Sequence, residues 1–152
     1  MKTHEFFLKE AIKESKRSIK AGGYPVGAVI VKDGKIIARG ISNGNKINDP
    51  TSHAEIDAIR KAGKKIKTKK LKGCTLYTSL ETCLMCFFAS SWAYIPEIVY
   101  ACRKEKTPKN YFETSLNVED VESKNYKKQK IIHLKKLEKE AKLIIDNWEK
   151  EL

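Results

Sequence analysis

The sequence has no long hydrophobic run. No stretch approaches the roughly 18 consecutive apolar residues that a membrane-spanning helix requires, so we expect no membrane partner. Residues 1–5 are charged and no apolar segment follows them, which argues against a secretory signal and for a cytoplasmic protein. The composition, with 41% hydrophobic and 33% charged residues in a chain of 152, predicts a single globular domain spanning 1–152.

Cysteine is also scarce, with four residues in the chain. In a cytoplasmic protein, so few cysteines indicate metal ligands or buried thiols more often than disulfides. Cys74 and Cys102 lie within short apolar runs typical of strands, and we expect both to be buried core thiols. Cys83 and Cys86 differ, because the spacing Cys-x-x-Cys places two sulfurs on one side of a helix start.

Acidic residues are outnumbered by basic ones, 19 to 31, which gives a formal net charge of +12. The densest basic block spans residues 60–72 and contains no acid. One interpretation is a phosphate-facing patch that binds RNA, and the other is a solvated loop. Arginine, whose planar guanidinium suits phosphate, is rare in the chain, and no aromatic residue within the block could stack on bases. Both features favour the solvated loop.

Hydrophobic periodicity predicts an alternation of helices and strands. Helices are expected at 5–21, from near 53 to near 63, from near 83 to before Pro96, and at about 135–150, and strands at 26–31, 35–39, 74–79, 97–102 and 131–134. Asp33-Gly34 marks a tight hairpin turn between the first two strands. Residues 103–130 are polar and show no periodicity. This order predicts a three-layer α/β/α sandwich, in which a mixed five-stranded sheet carries helices on both faces.

Two short motifs carry the chemistry. His53-Ala54-Glu55 opens the second predicted helix, and Cys83-x-x-Cys86 opens the third. A helix N-terminus lowers the pKa of a thiol and favours the thiolate, the form that binds metal. One imidazole nitrogen and two sulfurs are good zinc ligands, and zinc with three protein ligands keeps a position open for water, as catalytic sites do. Glu55 is then left over to handle the proton of that water.

Each motif has an alternative interpretation when it is taken alone. Ser52-x-x-Glu55 matches a capping box, in which Glu55 only bonds the amide that starts the helix. An isolated Cys-x-x-Cys occurs in redox dithiols and in structural zinc sites. A redox pair needs no partner histidine, however, and a zinc ribbon needs a second Cys-x-x-Cys, which the chain lacks. The combination of both motifs therefore favours one catalytic Zn²⁺ per chain.

Three stretches carry a family resemblance, namely Pro25–Val31, Asn48–Glu55 and Tyr77–Cys86. They resemble the cytidine and deoxycytidylate (nucleobase) deaminase superfamily of zinc enzymes, whose signature is His-x-Glu followed by Pro-Cys-x-x-Cys. The form Asn-Asp-Pro-Thr-x-His-Ala-Glu resembles the branch that contains guanine deaminases, yeast-type cytosine deaminases and tRNA adenosine deaminases. The resemblance implies a cytidine deaminase-like fold.

The resemblance also implies a role for each matching residue. The implied metal ligands are His53, Cys83 and Cys86. Glu55 is the implied catalytic proton shuttle, and Asn43 and the backbone N–H of Ala54 are the implied substrate-binding groups. The signature proline before the first cysteine is Thr82 here, and we expect its hydroxyl to cap the helix in place of proline.

After Cys102 the resemblance thins, and the glycine- and alanine-rich turn typical of tRNA adenosine deaminases is absent. Tyr111-Phe112-Glu113 resembles the Phe-Asp pair of guanine deaminases, so Phe112 and Glu113 are expected to bind substrate. The last helix is expected to pack over or near the active site. Its Trp148 is expected either to close over the pocket, as terminal segments do in related deaminases, or to pack in the core.

The implied activity is that of a hydrolase acting on the C–N bonds of cyclic amidines. It replaces the exocyclic amino group of a nucleobase or nucleoside, of the guanine or cytosine type, with oxygen and releases ammonia. The alternative enzyme is a tRNA-specific adenosine deaminase, and the non-enzymatic alternative is a structural zinc module with a closed coordination shell. The favoured partner is a small base or nucleoside rather than tRNA, and the resemblance implies a homodimer.

Overall fold

A mixed five-stranded sheet forms the middle layer of the protein. The computed structural model describes all 152 residues. The strands are β1 (Gly27–Lys32), β2 (Lys35–Ile41), β3 (Cys74–Leu80), β4 (Glu97–Cys102) and β5 (Lys130–His133), in the order β2-β1-β3-β4-β5. β1 runs antiparallel to both β2 and β3, whereas β3, β4 and β5 are parallel.

Helices cover both faces of this sheet. They are α1 (His4–Lys20), α2 (Gly44–Ile47), α3 (Ala54–Ile66), α4 (Leu84–Trp92), α5 (Val118–Glu122) and α6 (Glu138–Lys150). α1 and α6 pack on one face, and α3 and α4 pack on the other. The prediction of a three-layer α/β/α sandwich is therefore confirmed. None of the helices is both long enough and apolar enough to cross a membrane.

The two faces of β1 supply two separate cores, because successive side chains of a strand point in opposite directions. Val29 and Val31 belong to the core shared with α1 and α6, and Ala28 and Ile30 belong to the core shared with α3 and α4. Burying one large apolar side chain contributes about 1.5–3 kcal/mol, so both layers are strongly held to the sheet.

The hairpin and the two isolated cysteines match the sequence-based expectations. Asp33 and Gly34 have φ values of 50° and 73°, the two positive values that a type I′ turn requires. Cys74 and Cys102 are both fully buried and unpaired, which confirms their expected place in the core.

The boundaries differ from expectation in three places. The short helix α2 was not predicted, because four residues are too few to show periodicity. α3 runs past Gly63 and ends at Ile66, where Lys67 takes a left-handed φ of 57°. Residues 103–129 contain only α5 and two single 3-10 turns, Lys104–Lys106 and Lys109–Tyr111. Such short turns leave no helical or strand repeat in the sequence.

The C-terminal segment is fastened to the end of β4 by polar groups. Glu138, at the start of α6, accepts hydrogen bonds from the backbone N–H and from Nε of Arg103, both at 3.0 Å. His133 of β5 stacks on Tyr100 of β4, with 5.0 Å between ring centroids. These contacts fix where α6 lies against the sheet.

Candidate active site

The candidate site lies at the carboxyl end of the parallel strands β3 and β4. The turn after β3 leads to Cys83 at the start of α4. Ala28 of the antiparallel strand β1 lies opposite Thr78 of β3, so the beginning of β1 is beside the end of β3. The Gly27 N–H donates to Ser79 Oγ at 3.0 Å and secures this junction. Open α/β sheets commonly bind ligands at this edge.

The start of α3, which presents His53 and Glu55, is pressed against β2 at Gly40. A Cβ atom on Gly40 would lie 2.0 Å from the carbonyl oxygen of Ala54 and 2.6 Å from the amide nitrogen of Ala58. No side chain fits at such distances, so glycine is what permits this close approach of strand and helix.

Three potential ligand atoms converge between the starts of α3 and α4. His53 Nδ1 lies 3.5 Å from Cys83 Sγ and 3.5 Å from Cys86 Sγ, and all three atoms lie within 4.8 Å of one another. Sulfur at ~2.3 Å and nitrogen at ~2.05 Å from a tetrahedral zinc ion are separated by about 3.6 Å. The spacing and the chemistry of these donors therefore fit zinc.

Helix caps rather than helix interiors hold two of these ligands. His53 and Cys83 are the N-cap residues of α3 and α4, and both have extended backbone angles, with ψ of 165° and 166°. Cys83 Sγ accepts the Cys86 N–H at 3.5 Å, so the sulfur itself is the cap. The expectation that Thr82 caps this helix is wrong, because the cap falls one residue later and the buried Thr82 hydroxyl has no partner.

The two cysteines have very different proton affinities. The pKa of Cys83 is lowered to about 5, chiefly by a hydrogen bond from Cys86. Burial acts in the opposite direction, and a hydrogen bond from His53 lowers the pKa further. The same hydrogen bond, together with burial, raises the pKa of Cys86 well above its usual range. The pair therefore holds one thiolate at neutral pH, and metal binding would displace the second proton.

Glu55 is a buried carboxyl beside this cluster, with 3% of its surface exposed. Burial, and then the charge of Cys83, raise the pKa of Glu55 to about 7. A carboxyl with this pKa can both take and return a proton near neutral pH. The capping-box interpretation is wrong, because His53 is the N-cap and the Ser52 hydroxyl donates to Asn43 instead.

A cavity of about 350 Å³ opens in front of the cluster. Its lining comprises Tyr24, Val26, Ser42, His53, Ala54, Glu55, Leu80, Glu81, Cys83, Asn110, Tyr111, Phe112 and Glu113. The volume is at the small end for ligand sites, which suits a single base. Polar groups and aromatic rings share the wall, so the cavity can stack a flat ring and bond its edges.

A family model describing the cytidine and deoxycytidylate deaminase zinc-binding region matches residues 1–102. The chain belongs to this deaminase family. The match includes the three converging ligand residues and Glu55, and it stops where β4 ends.

Curated relatives of this deaminase act on different substrates. The tRNA-specific adenosine deaminase of Aquifex aeolicus (strain VF5) is 42% identical over 102 residues, which are 67% of this chain and 68% of that protein. The guanine deaminase of Bacillus subtilis (strain 168) is 44% identical over 120 residues, 78% of this chain and 77% of that protein.

Solved structures of related deaminases share the fold. The Bacillus subtilis guanine deaminase structure has a TM-score of 0.67 and 48% identity and covers 68% of this chain and 67% of that one. A structure from work on A-to-I editing by tRNA:A34 deaminases has a TM-score of 0.79 and 30% identity, with 92% and 99% covered. The guanine deaminase of Nitrosomonas europaea, at 23% identity, a TM-score of 0.86 and coverage of 97% and 85%, supports the fold alone.

Some of the residues expected to bind substrate line the cavity, and others do not. Ala54 and Phe112 line the cavity, and so does Glu113, whose Oε1 accepts the Leu84 N–H at 3.1 Å. Asn43 is the N-cap of α2 and does not itself line the cavity, although the preceding residue Ser42 does. Its Oδ1 accepts the Ser52 hydroxyl at 2.5 Å.

Trp148 is half-buried and is not among the residues that line the cavity. Its ring centroid lies 5.5 Å from that of Tyr24 and 6.4 Å from that of Tyr111, two residues that do line it. The Tyr111 hydroxyl donates to Glu149 of the same helix at 2.6 Å. α6 therefore backs two aromatic rings of the cavity.

Tyr24 and Tyr111 were missed as wall residues. For Tyr24 a signal existed, because an aromatic residue just before β1 must lie near the end of an antiparallel β3. For Tyr111 the signal was its place directly before Phe112 and Glu113, although the absence of periodicity in residues 103–117 did not indicate that its side chain would also reach the cavity.

The basic block does meet an aromatic side chain, although one from elsewhere in the chain. The ammonium groups of Lys70 and Lys72 both lie 5.6 Å from the ring centroid of Tyr94, and that of Lys127 lies 4.2 Å from it. Trp92 beside them is 76% exposed. This surface lies at the C-terminal end of α4, whose N-terminal end carries the cysteine ligands.

Proposed function

We propose that the protein is a zinc-dependent hydrolase that removes the exocyclic amino group of a nucleobase, with free guanine as the favoured substrate. The observation that carries this proposal is the buried Glu55, with its raised pKa, beside a cluster of three zinc-type ligand atoms, two of which belong to residues that line the same cavity. Membership in the deaminase family supports the reaction type.

His53, Cys83 and Cys86 would hold one Zn²⁺ per chain. When bound, zinc supplies Lewis-acid chemistry toward water at the cavity floor. The burial of both sulfurs keeps bulk solvent from the ligand set.

Glu55 moves the protons of the reaction. Its carboxylate accepts a proton from the attacking water and delivers it to the ring nitrogen next to the amino-bearing carbon. It then carries the second water proton to the departing amine, so water and the amino base become the oxo base and ammonia. A pKa of about 7 suits both transfers.

The cavity wall supports a flat base with polar edges. The rings of Tyr24, Tyr111 and Phe112 offer stacking surfaces. Ala54 begins α3, so its N–H has no partner within the helix and can donate to substrate. Asn43, which adjoins the lining residue Ser42 in the chain, would supply further donors.

Guanine is favoured over cytosine and adenosine because of Glu113. A carboxylate only accepts hydrogen bonds, and free guanine carries ring N–H donors on both of its rings. Similarity to the Bacillus subtilis guanine deaminase extends over 120 residues, against 102 for the Aquifex aeolicus tRNA-specific enzyme.

An ammonia-release panel tests this proposal. Reduced, zinc-loaded protein is assayed on guanine, cytosine, adenine, their nucleosides and tRNA, with metal content measured in parallel. We expect the highest kcat/KM on guanine. A protein that binds zinc stoichiometrically but releases ammonia from none of these compounds would be a structural zinc module instead.

A tRNA-specific adenosine deaminase is the second candidate, and the Lys70, Lys72, Lys127 and Tyr94 cluster favours it. Lysine ammoniums beside exposed aromatic rings can contact phosphates and bases. Filter binding of tRNA across a salt series distinguishes the candidates, because phosphate contacts produce a steep dependence of affinity on salt. Lys70→Gln and Lys72→Gln would flatten that dependence only if this surface binds RNA.

We further propose that the single domain associates as a homodimer through α4. Phe88 and Trp92 on this helix are 41% and 76% exposed, which is unusual for such large apolar side chains. Light scattering after size exclusion should give twice the chain mass, and Trp92→Ser should shift the population toward monomer. A monomeric parent protein would contradict this assignment.

A further inference from the structure

A line of hydrogen bonds runs from α3 to Asn43, which follows the cavity-lining residue Ser42 in the chain. Arg60 Nη1 donates to Ser52 Oγ at 3.2 Å, and Ser52 Oγ donates to Asn43 Oδ1 at 2.5 Å. The other end of the guanidinium is held by Asp49, whose Oδ2 accepts from Nη2 at 3.1 Å. Ser52 is 1% exposed, so its hydroxyl depends on these protein partners.

The direction of this line is fixed by the chemistry of its members. A guanidinium can only donate, so the Ser52 oxygen must accept from Arg60. The single Ser52 proton then needs an acceptor, and the only one within reach is the amide oxygen of Asn43. If the amide were flipped, its N–H groups would face Ser52, and the buried hydroxyl proton would have no acceptor.

We propose that Ser52 and Arg60 are positioning residues that lock the orientation of the Asn43 amide. The amide oxygen of Asn43 accepts the Ser52 hydroxyl, and both N–H donors of the amide remain free of protein partners. The inference rests on the proposed role of Asn43 in substrate binding.

The consequence is a site that selects for an acceptor. Asn43 then presents its two unpartnered N–H groups to a base, and Ala54 presents its backbone N–H. Their counterpart must be a carbonyl oxygen or an unprotonated ring nitrogen. Guanine and cytosine carry a carbonyl oxygen, whereas adenine offers only ring nitrogens.

A double-mutant cycle tests whether Ser52 acts through Asn43. We expect Ser52→Ala to lower kcat/KM for guanine about tenfold, chiefly by raising KM, and Asn43→Ala to lower it further. In the Asn43→Ala background, Ser52→Ala should change kcat/KM by less than about twofold. Arg60→Met, which removes the donors but keeps an apolar stem, should show the same pattern. A Ser52→Ala loss that persists in full without Asn43 overturns the inference.

A readout without catalysis separates this inference from the proposed function. The side-chain ¹⁵N–H₂ signals of Asn43, assigned by their loss in Asn43→Asp, should be a single sharp pair in the parent protein. We expect them to shift and broaden in Ser52→Ala, because the amide then samples two orientations. Unchanged Asn43 signals in Ser52→Ala would overturn the proposal that Ser52 holds the amide in one orientation. Normal turnover by Asn43→Ala would instead refute the substrate role of Asn43, and the NMR result would still decide whether Ser52 holds the amide.

Discussion

The ligand side of the cavity is built from residues 1–102, and residues 103–152 add two aromatic rings, one amide and one carboxylate to its wall. The first region places its reactive groups on helix caps at the ends of buried strands, and Cys83 and Cys86 are 5% and 0% exposed. The second region contributes Tyr111, Phe112 and Glu113 from an irregular path with short turns. In the proposed function, the metal-binding and proton-transfer groups therefore belong to the packed core, whereas Glu113 belongs to a segment held by a few polar and aromatic contacts.

The largest expected effect comes from removing a ligand in the first region. Cys86→Ser should abolish both stoichiometric zinc binding and ammonia release, because a neutral hydroxyl replaces a thiolate ligand. Elemental analysis of the purified protein measures the first and the ammonia assay the second. Cys74→Ala, which alters a buried thiol of the core, should keep full zinc content. Retention of zinc by Cys86→Ser would remove that residue from the ligand set.

Glu55→Gln should separate proton transfer from metal binding within the same region. The amide keeps the shape of the side chain but cannot shuttle protons, so we expect kcat to fall by about 10²–10⁴-fold. Zinc content and melting temperature should match the parent protein. Turnover within a few-fold of the parent would show that another group moves the protons.

Glu113→Gln probes the second region. The amide can still accept the Leu84 N–H, but it loses the charge that favours N–H donors on the base. We expect KM for guanine to rise about tenfold with little change in kcat. Glu105→Gln, a carboxylate outside the cavity lining, is the matched control. Equal effects of the two substitutions would show that Glu113 acts through the net charge of the protein rather than through contact with the base.

The smallest effect is expected at the contact between Glu138 and Arg103, which attaches α6 of the second region to the end of β4. Burial raises the pKa of Glu138, but hydrogen bonds from the side chain and backbone of Arg103 outweigh it and lower the pKa below its ordinary value of 4.5. The ionised group thus stabilises the fold above this pH and loses that contribution as the pH falls through the lowered value.

Glu138→Gln should accordingly lower the melting temperature at pH 7, and the difference from the parent should shrink in acid. Thermal unfolding by circular dichroism across pH measures both. The exposed Glu140→Gln on the same helix should melt like the parent throughout. A deficit for Glu138→Gln that is independent of pH would point to packing rather than charge.

Sequence reasoning succeeded where local pattern and structure coincide. The short, largely β-branched apolar run of β1 and the Asp33-Gly34 turn determine local structure by themselves, and the turn pairs β1 with β2. The convergence of the His53 and Cys83 motifs was also foreseeable, because both motifs open helices that follow a strand or a loop at one sheet edge.

The rest depended on long-range geometry. Tyr111 reaches the cavity through a segment without periodicity, and Trp148 supports it from a helix that is remote in sequence. The Ser52 hydroxyl looked like part of a capping box, but tertiary contacts with Asn43 and Arg60 redirected it. A short motif states which groups are available, and only the fold decides which of them meet.

Gly40 lies outside the cavity lining, but its close contact with α3 should make it as intolerant of substitution as a metal ligand. Any larger residue there would push the first turn of α3 away from β2 and carry His53 and Glu55 with it. In a saturation mutagenesis screen for activity, position 40 should tolerate almost nothing, while its neighbours on the strand accept many replacements. Directed evolution of new substrates would therefore do better to diversify residues 103–117 and leave this seam between strand and helix untouched.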